Sequence, residues 1–232
     1  MPLLLLIRHG RTAANTGAVL AGWTPGVGLD ETGQGQVSAL AELLGGLPVR
    51  RLVASPLQRA RETAAPLAAA WGLEPVIEED LGECRYGAWT GRPIAELVKE
   101  PLWPTIQATP SRARFPDGPD HPGESLAEMS ARAVAAVCRH DHLVADEHGP
   151  HAIWAAVSHG DVVKAIIADA LGSHLDQFQR IHVATASVSV LRIGPGRPML
   201  LRVNGTGHDL TELLAPPPDP TPAGDGQVGG GR

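Results

Sequence analysis

The chain has 232 residues, with 19 basic and 25 acidic side chains and a formal net charge of −6. Because it is net acidic and has no basic run, a general nucleic-acid binder is disfavoured and no nucleic-acid partner is expected. Its 43% of hydrophobic residues can form an ordinary core, and its length fits one large domain or two small ones.

The first part of the chain predicts alternating strands and helices. Residues 3–7 form an unbroken apolar run, which is typical of a buried parallel strand. Val37, Leu40 and Leu44 have helical spacing, and two glycines follow them. The predicted strands are Leu3–Ile7, Arg51–Ala54 and Pro75–Ile77, and the predicted helices are Thr32–Leu44 and Pro56–Trp71.

The same alternation continues further along the chain. Helices are predicted for Ser125–Val144 and Asp161–Leu171, and strands for Ala152–Val157, Ala184–Ile193 and Pro198–Val203. The last two strands are joined by a turn at residues 194–196. Alternating strands and helices predict an α/β fold, a three-layer α/β/α sandwich with a mostly parallel sheet. In such sheets the functional site lies at the carboxyl ends of the strands.

Two segments fall outside this alternation. Glu100–Pro122 contains six prolines and little periodicity, so residues 101–122 are expected to be a variable insertion, a lid or a disordered loop. Residues 215–232 are rich in proline and then glycine, which predicts a disordered tail rather than a Pro-rich recognition segment. We therefore expect one domain at 1–214 followed by a tail.

The sequence also predicts the compartment. Cys84 and Cys138 are too few for a disulfide framework or an unaided zinc site, and fit buried thiols in a reducing compartment. The apolar N-terminus has no basic region before it and is too short for a signal peptide or a membrane span. The apolar stretch at 153–171 is interrupted by charged residues. We expect a cytoplasmic protein with no membrane partner.

Histidines and arginines follow the ends of several predicted strands. The first strand runs into residues 8–12, Arg-His-Gly-Arg-Thr, and the second into Ser55-Pro56-Leu57-Gln58-Arg59. A later strand ends in Ser158-His159-Gly160, and Glu83 follows the strand near Ile77. Each feature alone is weak, because a single histidine or arginine is more often structural or solvated. Their repetition at successive strand ends predicts one common pocket.

These residue types suit phosphoryl transfer. Arginine forks and helix N-termini bind phosphate oxygens, and two arginines neutralise the charge that repels a nucleophile. A neutral imidazole is a competent nucleophile near neutral pH. A carboxyl such as Glu83 can protonate the leaving alkoxide and then deprotonate water, for which its pKa must be raised by burial.

At these residues the sequence resembles the histidine phosphatase superfamily, which includes the cofactor-dependent phosphoglycerate mutases. The resemblance spans roughly Leu3 to Leu210, and the order of its motifs is specific. The matching motifs are Arg8-His9-Gly10 with Thr12 and Asn15, Ser55-Pro56-Leu57-x-Arg59-Ala60-x-x-Thr63-Ala64, and Ser158-His159-Gly160. Gly123-Glu124-Ser125 and the segment Asn204–His208 resemble further family motifs.

The resemblance implies a phosphoglycerate mutase-like fold and a role for each matching residue. It implies that His9 is phosphorylated and that Glu83, within Leu81-x-Glu83-x-x-x-Gly87-x-Trp89-x-Gly91, is the general acid and base. It implies that the phosphoryl group is bound by Arg8, Arg59, His159, Asn15 and Gly160, and that Gly22 presents its backbone to the substrate. No metal and no cofactor is implied. A homodimer is left open.

Departures from the family pattern bear on the reaction. The family commonly has an acidic residue where this chain has Thr90. The mutase branch has extra basic residues in its insertion for a second anionic group, whereas this insertion has only Arg112 and Arg114. This favours a metal-independent phosphatase acting on a small phosphate ester over a phosphomutase. The substrate itself is not predicted.

The sequence disfavours three other functions. A non-catalytic phosphate-binding relative is disfavoured, because none of the five key histidines, arginines and glutamate is missing. Metal-assisted hydrolysis at His140 and His142 is disfavoured, because residues two apart on a helix point to different faces. Ser158 lacks the sequence context of a hydrolase nucleophile and is expected to bond within its turn. Cys84 is expected to be a packing thiol, while Trp103 and Phe115 fit equally well as a substrate cover or as loop anchors.

Overall fold

The computed structural model describes residues 1–194 and 196–207 as a six-stranded sheet flanked by helices. The strands are β1 Leu3–Arg8, β2 Val49–Ala54, β3 Val76–Ile77, β4 Ile153–Ser158, β5 Val188–Arg192 and β6 Met199–Gly205. The α-helices are α1 Ala13–Thr16, α2 Glu31–Leu44, α3 Gln58–Trp71, α4 Ile94–Leu97, α5 Trp103–Ala108, α6 Leu126–His148 and α7 Gly160–Ala170. Short 3-10 helices span Glu79–Leu81, Gly87–Trp89, Pro110–Arg112 and Leu175–Arg180.

The sheet has the order β3-β2-β4-β1-β5-β6. The four strands β3, β2, β4 and β1 are parallel, whereas β5 pairs antiparallel with β1 and the edge strand β6 pairs antiparallel with β5. The predicted mostly parallel α/β sheet is therefore confirmed. The carboxyl ends of β1, β2 and β4 lie together at one edge of the sheet.

The two faces of the sheet are covered by different helices. Successive residues of a strand point to opposite faces. Leu4 and Leu6 pack in a core that includes Val137 of α6 and Val163 of α7. On the other face, residues 3, 5 and 7 of β1 pack in a core that includes Leu40 of α2 and Leu67 of α3. Every residue in 3–7 is buried, which explains why that run is apolar without alternation.

Most predicted elements are present, with shifted ends. Helix α6 continues four residues beyond the predicted Val144, and its Ser125 cap accepts a hydrogen bond from the backbone N–H of Glu128. Strand β5 begins at Val188 instead of Ala184. The reason is a turn in which Ala186 has a φ of 55°, a left-handed conformation that ends sheet pairing.

The insertion at 101–122 is folded onto the body, which excludes the disordered loop among the expected alternatives. It contains α5, and Ile106 and Phe115 are buried. Phe115 packs edge-on against Tyr86, with ring centroids 5.0 Å apart, and Trp103 stacks on Trp89 at 6.2 Å. These aromatic contacts make Trp103 and Phe115 anchors of the insertion.

Gly87 allows the insertion to pack closely against the rest of the domain. Gly87 has a φ of 53°, and a Cβ atom at this position would lie 1.9 Å from the carbonyl oxygen of Pro116. Its backbone neighbour Ala88 donates a hydrogen bond to the same oxygen. Only glycine combines this conformation with this close approach.

Some expectations concern residues outside the described ranges. They include the tail at 215–232, the end of the domain at 214, Pro195 of the predicted turn and His208 of the last family-like motif. In the part of the chain that the structure describes, no helix combines the length and apolar character needed to cross a membrane.

Candidate active site

The functional side chains predicted from the sequence meet at the carboxyl edge of the parallel strands. His9 follows β1, Arg59 lies in the first turn of α3, His159 directly precedes α7, and Glu83 lies on the loop after β3. A cleft of about 90 Å³ is lined by His9, Thr12, Asn15, Val19, Leu20, Ala21, Gly22, Arg59, Glu83 and Tyr86. A volume of this size suits a phosphoryl group.

His9 has one ring nitrogen fixed and the other directed to a cation. Its Nδ1 lies 2.7 Å from the carbonyl oxygen of Gly10. Since a carbonyl oxygen only accepts, Nδ1 must donate this hydrogen bond, which leaves the lone pair on Nε2. Burial, reinforced by the Arg59 cation, holds the pKa of His9 well below its ordinary value. The ring is therefore neutral at neutral pH, with Nε2 available as a nucleophile.

Arg59 is a buried cation beside that nucleophile. Its Nε donates to Nε2 of His9 at 3.2 Å, and its Nη2 donates to the carbonyl oxygen of Gly22 at 3.0 Å. The Arg59 backbone is tied to Thr63, whose hydroxyl donates to the Arg59 carbonyl oxygen and accepts from Gly10 N–H. These contacts place a guanidinium fork within reach of any group that binds Nε2.

Arg8 supplies a second guanidinium at the end of β1. Its Nη1 donates to the carbonyl oxygen of Val183 at 2.7 Å, whereas its buried Nε has no hydrogen-bond partner among the described residues. A Cβ atom added to Gly160 would lie 3.5 Å from the Arg8 Cζ, so the N-terminus of α7 begins beside this cation. The buried donor and the helix N-terminus are suited to anion binding.

His159 is completely buried behind His9, with the two ring centroids 5.2 Å apart. Its Nε2 lies 2.6 Å from the Ser55 hydroxyl, and its buried Nδ1 has no partner among the described residues. Burial and the neighbouring Arg59 cation hold the pKa of His159 well below its ordinary value. A neutral His159 can donate only one hydrogen bond toward a ligand.

Glu83 has the properties expected of an acid that works near neutral pH. The residue is 9% exposed, and burial together with the charge of Asp161 raises its pKa to about 7, although Arg59 opposes the rise. Its Oε1 accepts a hydrogen bond from the Cys84 backbone N–H at 3.0 Å. The raised pKa anticipated for Glu83 therefore has two identified causes.

The loop that carries Glu83 is held by a buried arginine. Arg132 of α6 donates to the carbonyl oxygens of Asp80, Gly82 and Glu83 at 2.6–3.0 Å. Its guanidinium also pairs with the buried Glu124 through both carboxylate oxygens. The Glu83 carbonyl oxygen accepts a further hydrogen bond from the Trp23 indole at 2.6 Å. The backbone position of Glu83 is thus fixed from two sides.

Asp161 reaches this region through Tyr86. The Tyr86 hydroxyl donates to Oδ2 of Asp161 at 2.9 Å, and the Lys164 ammonium lies 3.4 Å from Oδ1. Tyr86 also lines the cleft beside Glu83. A carboxylate held in this way disfavours ionisation of Glu83, because like charges repel.

Asn15 and Gly22 complete the predicted set. Asn15 is exposed and lines the cleft, and its Oδ1 accepts from the Thr12 backbone N–H and hydroxyl at 3.0 Å each. Gly22 has a φ of 49°, and its carbonyl oxygen faces Arg59. Five of the eight predicted residues line the cleft. Arg8, His159 and Gly160 lie next to that group without lining it.

Some contacts at the site escaped the sequence interpretation. Ser55 and Thr63 belong to the family-like motifs, but the sequence does not predict their hydrogen bonds to His159 and Gly10. The sequence also does not predict that Arg132 and Tyr86 contribute to the site. Their partners are distant in sequence, and no local pattern marks them. The expectation that Ser158 bonds within its own turn is wrong, because its hydroxyl donates to the carbonyl oxygen of Leu81, which the fold brings beside the end of β4. Cys84 is buried as expected, and of His140 and His142 only the first is buried.

The raised pKa of Glu83 predicts a cost in stability. Its folded pKa of about 7 lies above the value of an unfolded glutamate, so folding disfavours its charged form. This destabilising contribution to the free energy of unfolding is absent below about pH 4, grows as the pH rises and reaches its maximum above about pH 7. We expect Glu83→Gln to be more stable than the wild type by about 1–3 kcal/mol at pH 8, with little difference near pH 4.5.

Urea unfolding at both pH values measures this difference. Glu42→Gln, which changes an exposed glutamate of α2, is the matched control and should leave stability unchanged. A Glu83→Gln variant that is less stable than the wild type at pH 8 would show that ionised Glu83 is accommodated without cost.

Comparison with known proteins identifies a family to which the chain is similar. A family model described as histidine phosphatase superfamily (branch 1) matches residues 4–206. A protein from Mycobacterium tuberculosis named as bifunctional is 31% identical over 209 residues, which cover 88% of this chain and 54% of the relative. The chain therefore spans about half the length of the first curated relatives that it matches.

Two of the similar proteins illustrate the activities for which such relatives are named. A glucosyl-3-phosphoglycerate phosphatase from Mycobacterium tuberculosis is 30% identical over 171 residues, covering 71% of this chain and 73% of the relative. The crystal structure of a phosphoserine phosphatase from Entamoeba histolytica superposes with a TM-score of 0.76 at 25% identity, covering 89% of this chain and 98% of that chain. Together with the sheet order, these matches confirm the phosphoglycerate mutase-like α/β fold.

Proposed function

The chain belongs to branch 1 of the histidine phosphatase superfamily, and from that membership we propose that it hydrolyses small phosphate monoesters through a phosphohistidine at His9. The observation that carries the proposal is the state of His9. Its Nδ1 is occupied by the Gly10 carbonyl oxygen, while Nε2 carries the lone pair beside the Arg59 guanidinium. The two similar proteins described above are named as phosphatases, which supports the same reaction class.

In the first step, Nε2 of His9 attacks phosphorus and the bond to the ester oxygen breaks. The protonated Glu83 carboxyl gives its proton to the leaving oxygen, so that the alcohol departs neutral. Arg59, Arg8 and the N-terminus of α7 bind the phosphoryl oxygens and stabilise the charge that develops there. The Gly10 carbonyl oxygen keeps the proton on Nδ1 and stabilises the positive ring.

In the second step, the Glu83 carboxylate takes a proton from water as the water oxygen attacks phosphorus. The bond between Nε2 and phosphorus breaks, which releases inorganic phosphate and neutral His9. Glu83 is protonated again and ready for the next substrate. A carboxyl with a pKa of about 7 can serve as acid and base in turn near neutral pH.

The insertion favours water over a second substrate as the acceptor. A mutase returns the phosphoryl group to a substrate that carries another anionic group. Arg112 and Arg114 are the basic side chains that could bind it there, and both are exposed. Arg114 is also paired with Glu128 of α6. We therefore favour the phosphatase over the phosphomutase.

A test of the proposed function is the release of phosphate from a panel of phosphomonoesters in excess chelator, with and without a bisphosphorylated primer. We expect chelator-resistant hydrolysis that does not depend on the primer. Loss of activity in the chelator would instead favour metal-assisted hydrolysis. Primer-dependent isomerisation without hydrolysis would favour the mutase.

Arg59→Ala should weaken phosphate binding. Because Arg59 is the buried donor closest to the nucleophile, we expect the inhibition constant of inorganic phosphate and the KM to rise by about 100-fold. Arg61→Ala changes an exposed arginine of the same helix and is the matched control. An inhibition constant within threefold of the wild-type value in Arg59→Ala would remove Arg59 from the phosphate site.

A further inference from the structure

A second, larger pocket lies beside the phosphoryl cleft. It has a volume of about 200 Å³ and is lined by Trp23, Arg85, Thr90, Asp120, His121 and Pro122. Two of its lining residues are sequence neighbours of residues that line the cleft: Trp23 follows Gly22, and Arg85 precedes Tyr86. A Cβ atom added at Gly22 would lie 3.0 Å from the Thr90 hydroxyl oxygen, so the two spaces share a thin wall.

The pocket has a fixed cation on one side. The Arg85 guanidinium lies over the Trp23 ring, 4.2 Å from its centroid. Trp23 is itself held by the hydrogen bond from its indole to the Glu83 carbonyl oxygen. Arg85 has no ion pair or side-chain hydrogen bond to any residue that the structure describes. Its guanidinium donors are therefore available to a ligand.

The opposite side carries polar groups of the insertion. The side chains of Asp120 and His121 have no hydrogen bond or ion pair within the described ranges, and the buried Thr90 hydroxyl also lacks a partner there. Asp120 and Arg85 face the same pocket without pairing with each other. The wall is preformed, because the Gly118 N–H donates to the His121 carbonyl oxygen and Asp117 accepts from the Gly123 N–H.

These groups define the chemistry of the occupant. The half-buried Arg85 can donate to a ligand and the exposed Asp120 can accept from it, and a hydroxyl group both accepts and donates. A purely alkyl or aryl group would displace water from Arg85 and from the buried Thr90 hydroxyl without replacing its hydrogen bonds, which is unfavourable. We propose that this pocket binds the alcohol part of the substrate and selects a compact, polyhydroxylated alcohol, with Arg85 and Asp120 as the specificity-determining residues.

This inference rests on the proposed phosphatase function, and the test separates the two. The kcat/KM values for glucose 6-phosphate, n-hexyl phosphate, O-phosphoserine and p-nitrophenyl phosphate are measured for the wild type, Arg85→Met and Asp120→Asn. Methionine keeps an unbranched side chain over Trp23 while removing the charge and the donors. Arg112→Ala, an exposed arginine of the same insertion outside the pocket, is the matched control.

We expect the wild type to prefer glucose 6-phosphate over n-hexyl phosphate by at least about 10-fold in kcat/KM. Each pocket variant should lower kcat/KM for glucose 6-phosphate by about 10- to 100-fold and leave that for n-hexyl phosphate within about threefold. Equal losses for both substrates, a preference for the alkyl ester, or a preference for O-phosphoserine would overturn the inference. Absence of hydrolysis of every ester, p-nitrophenyl phosphate included, would instead overturn the phosphatase function.

Discussion

His9→Ala should abolish phosphatase turnover, with kcat lower by roughly 10⁴-fold or more. The variant loses the Nε2 lone pair, and among the cleft residues no other side chain has a comparable nucleophile directed at Arg59. Arg59 and Arg8 remain, so binding of inorganic phosphate should persist. Rapid alkaline quench after mixing with a labelled ester should also detect no phosphoenzyme in this variant.

His182→Ala is the matched control, because it removes an exposed histidine outside the cleft. It should retain wild-type turnover. If His9→Ala were labelled stoichiometrically at another residue, the assignment of the nucleophile would be wrong. Equal activity in His9→Ala and the wild type would remove the enzymatic function of this site altogether.

Glu83→Gln should lower kcat by about 10²- to 10⁴-fold for esters with alkyl alcohols. The amide holds the same position, since its oxygen can accept from the Cys84 N–H, but it cannot transfer a proton. In the wild type, kcat/KM should fall as the pH rises above about 7, because Glu83 must be protonated for the first step. In Glu83→Gln, kcat/KM should no longer fall as the pH rises above about 7.

The leaving group provides the internal control for Glu83. p-Nitrophenolate departs without protonation, so Glu83→Gln should affect the first step for p-nitrophenyl phosphate far less than for an alkyl ester. A variant that retains the decline above pH 7 would show that another group causes it. Equal losses for the two kinds of ester in the first step would exclude Glu83 as the general acid.

The sequence predicted the position of the site because the motifs follow strand ends. In a parallel sheet the carboxyl ends of the strands meet, so Arg8, Arg59 and His159 had to converge once β1, β2 and β4 were placed. The net charge of −6 was a poor guide to this pocket. Net charge describes the whole surface, whereas the charge at the cleft is determined by the buried Arg59 and the neighbouring, partly buried Arg8.

Other features depend on contacts that no local pattern encodes. The hydrogen bonds from Arg132 to the Glu83 loop join residues about 50 positions apart, and Ser55 meets His159 across 104 positions. The insertion at 101–122 lacks periodicity because single aromatic residues such as Phe115, rather than a helical stripe, anchor it. Such features require the tertiary structure.

The central claim is that the phosphoryl group passes through His9 in two displacements. The stereochemistry at phosphorus tests it directly, with an ester made chiral by oxygen isotopes and hydrolysed in isotopically labelled water. Each in-line displacement inverts the configuration, so two displacements predict net retention. Net inversion would mean that water attacks the ester directly and would contradict a phosphohistidine intermediate.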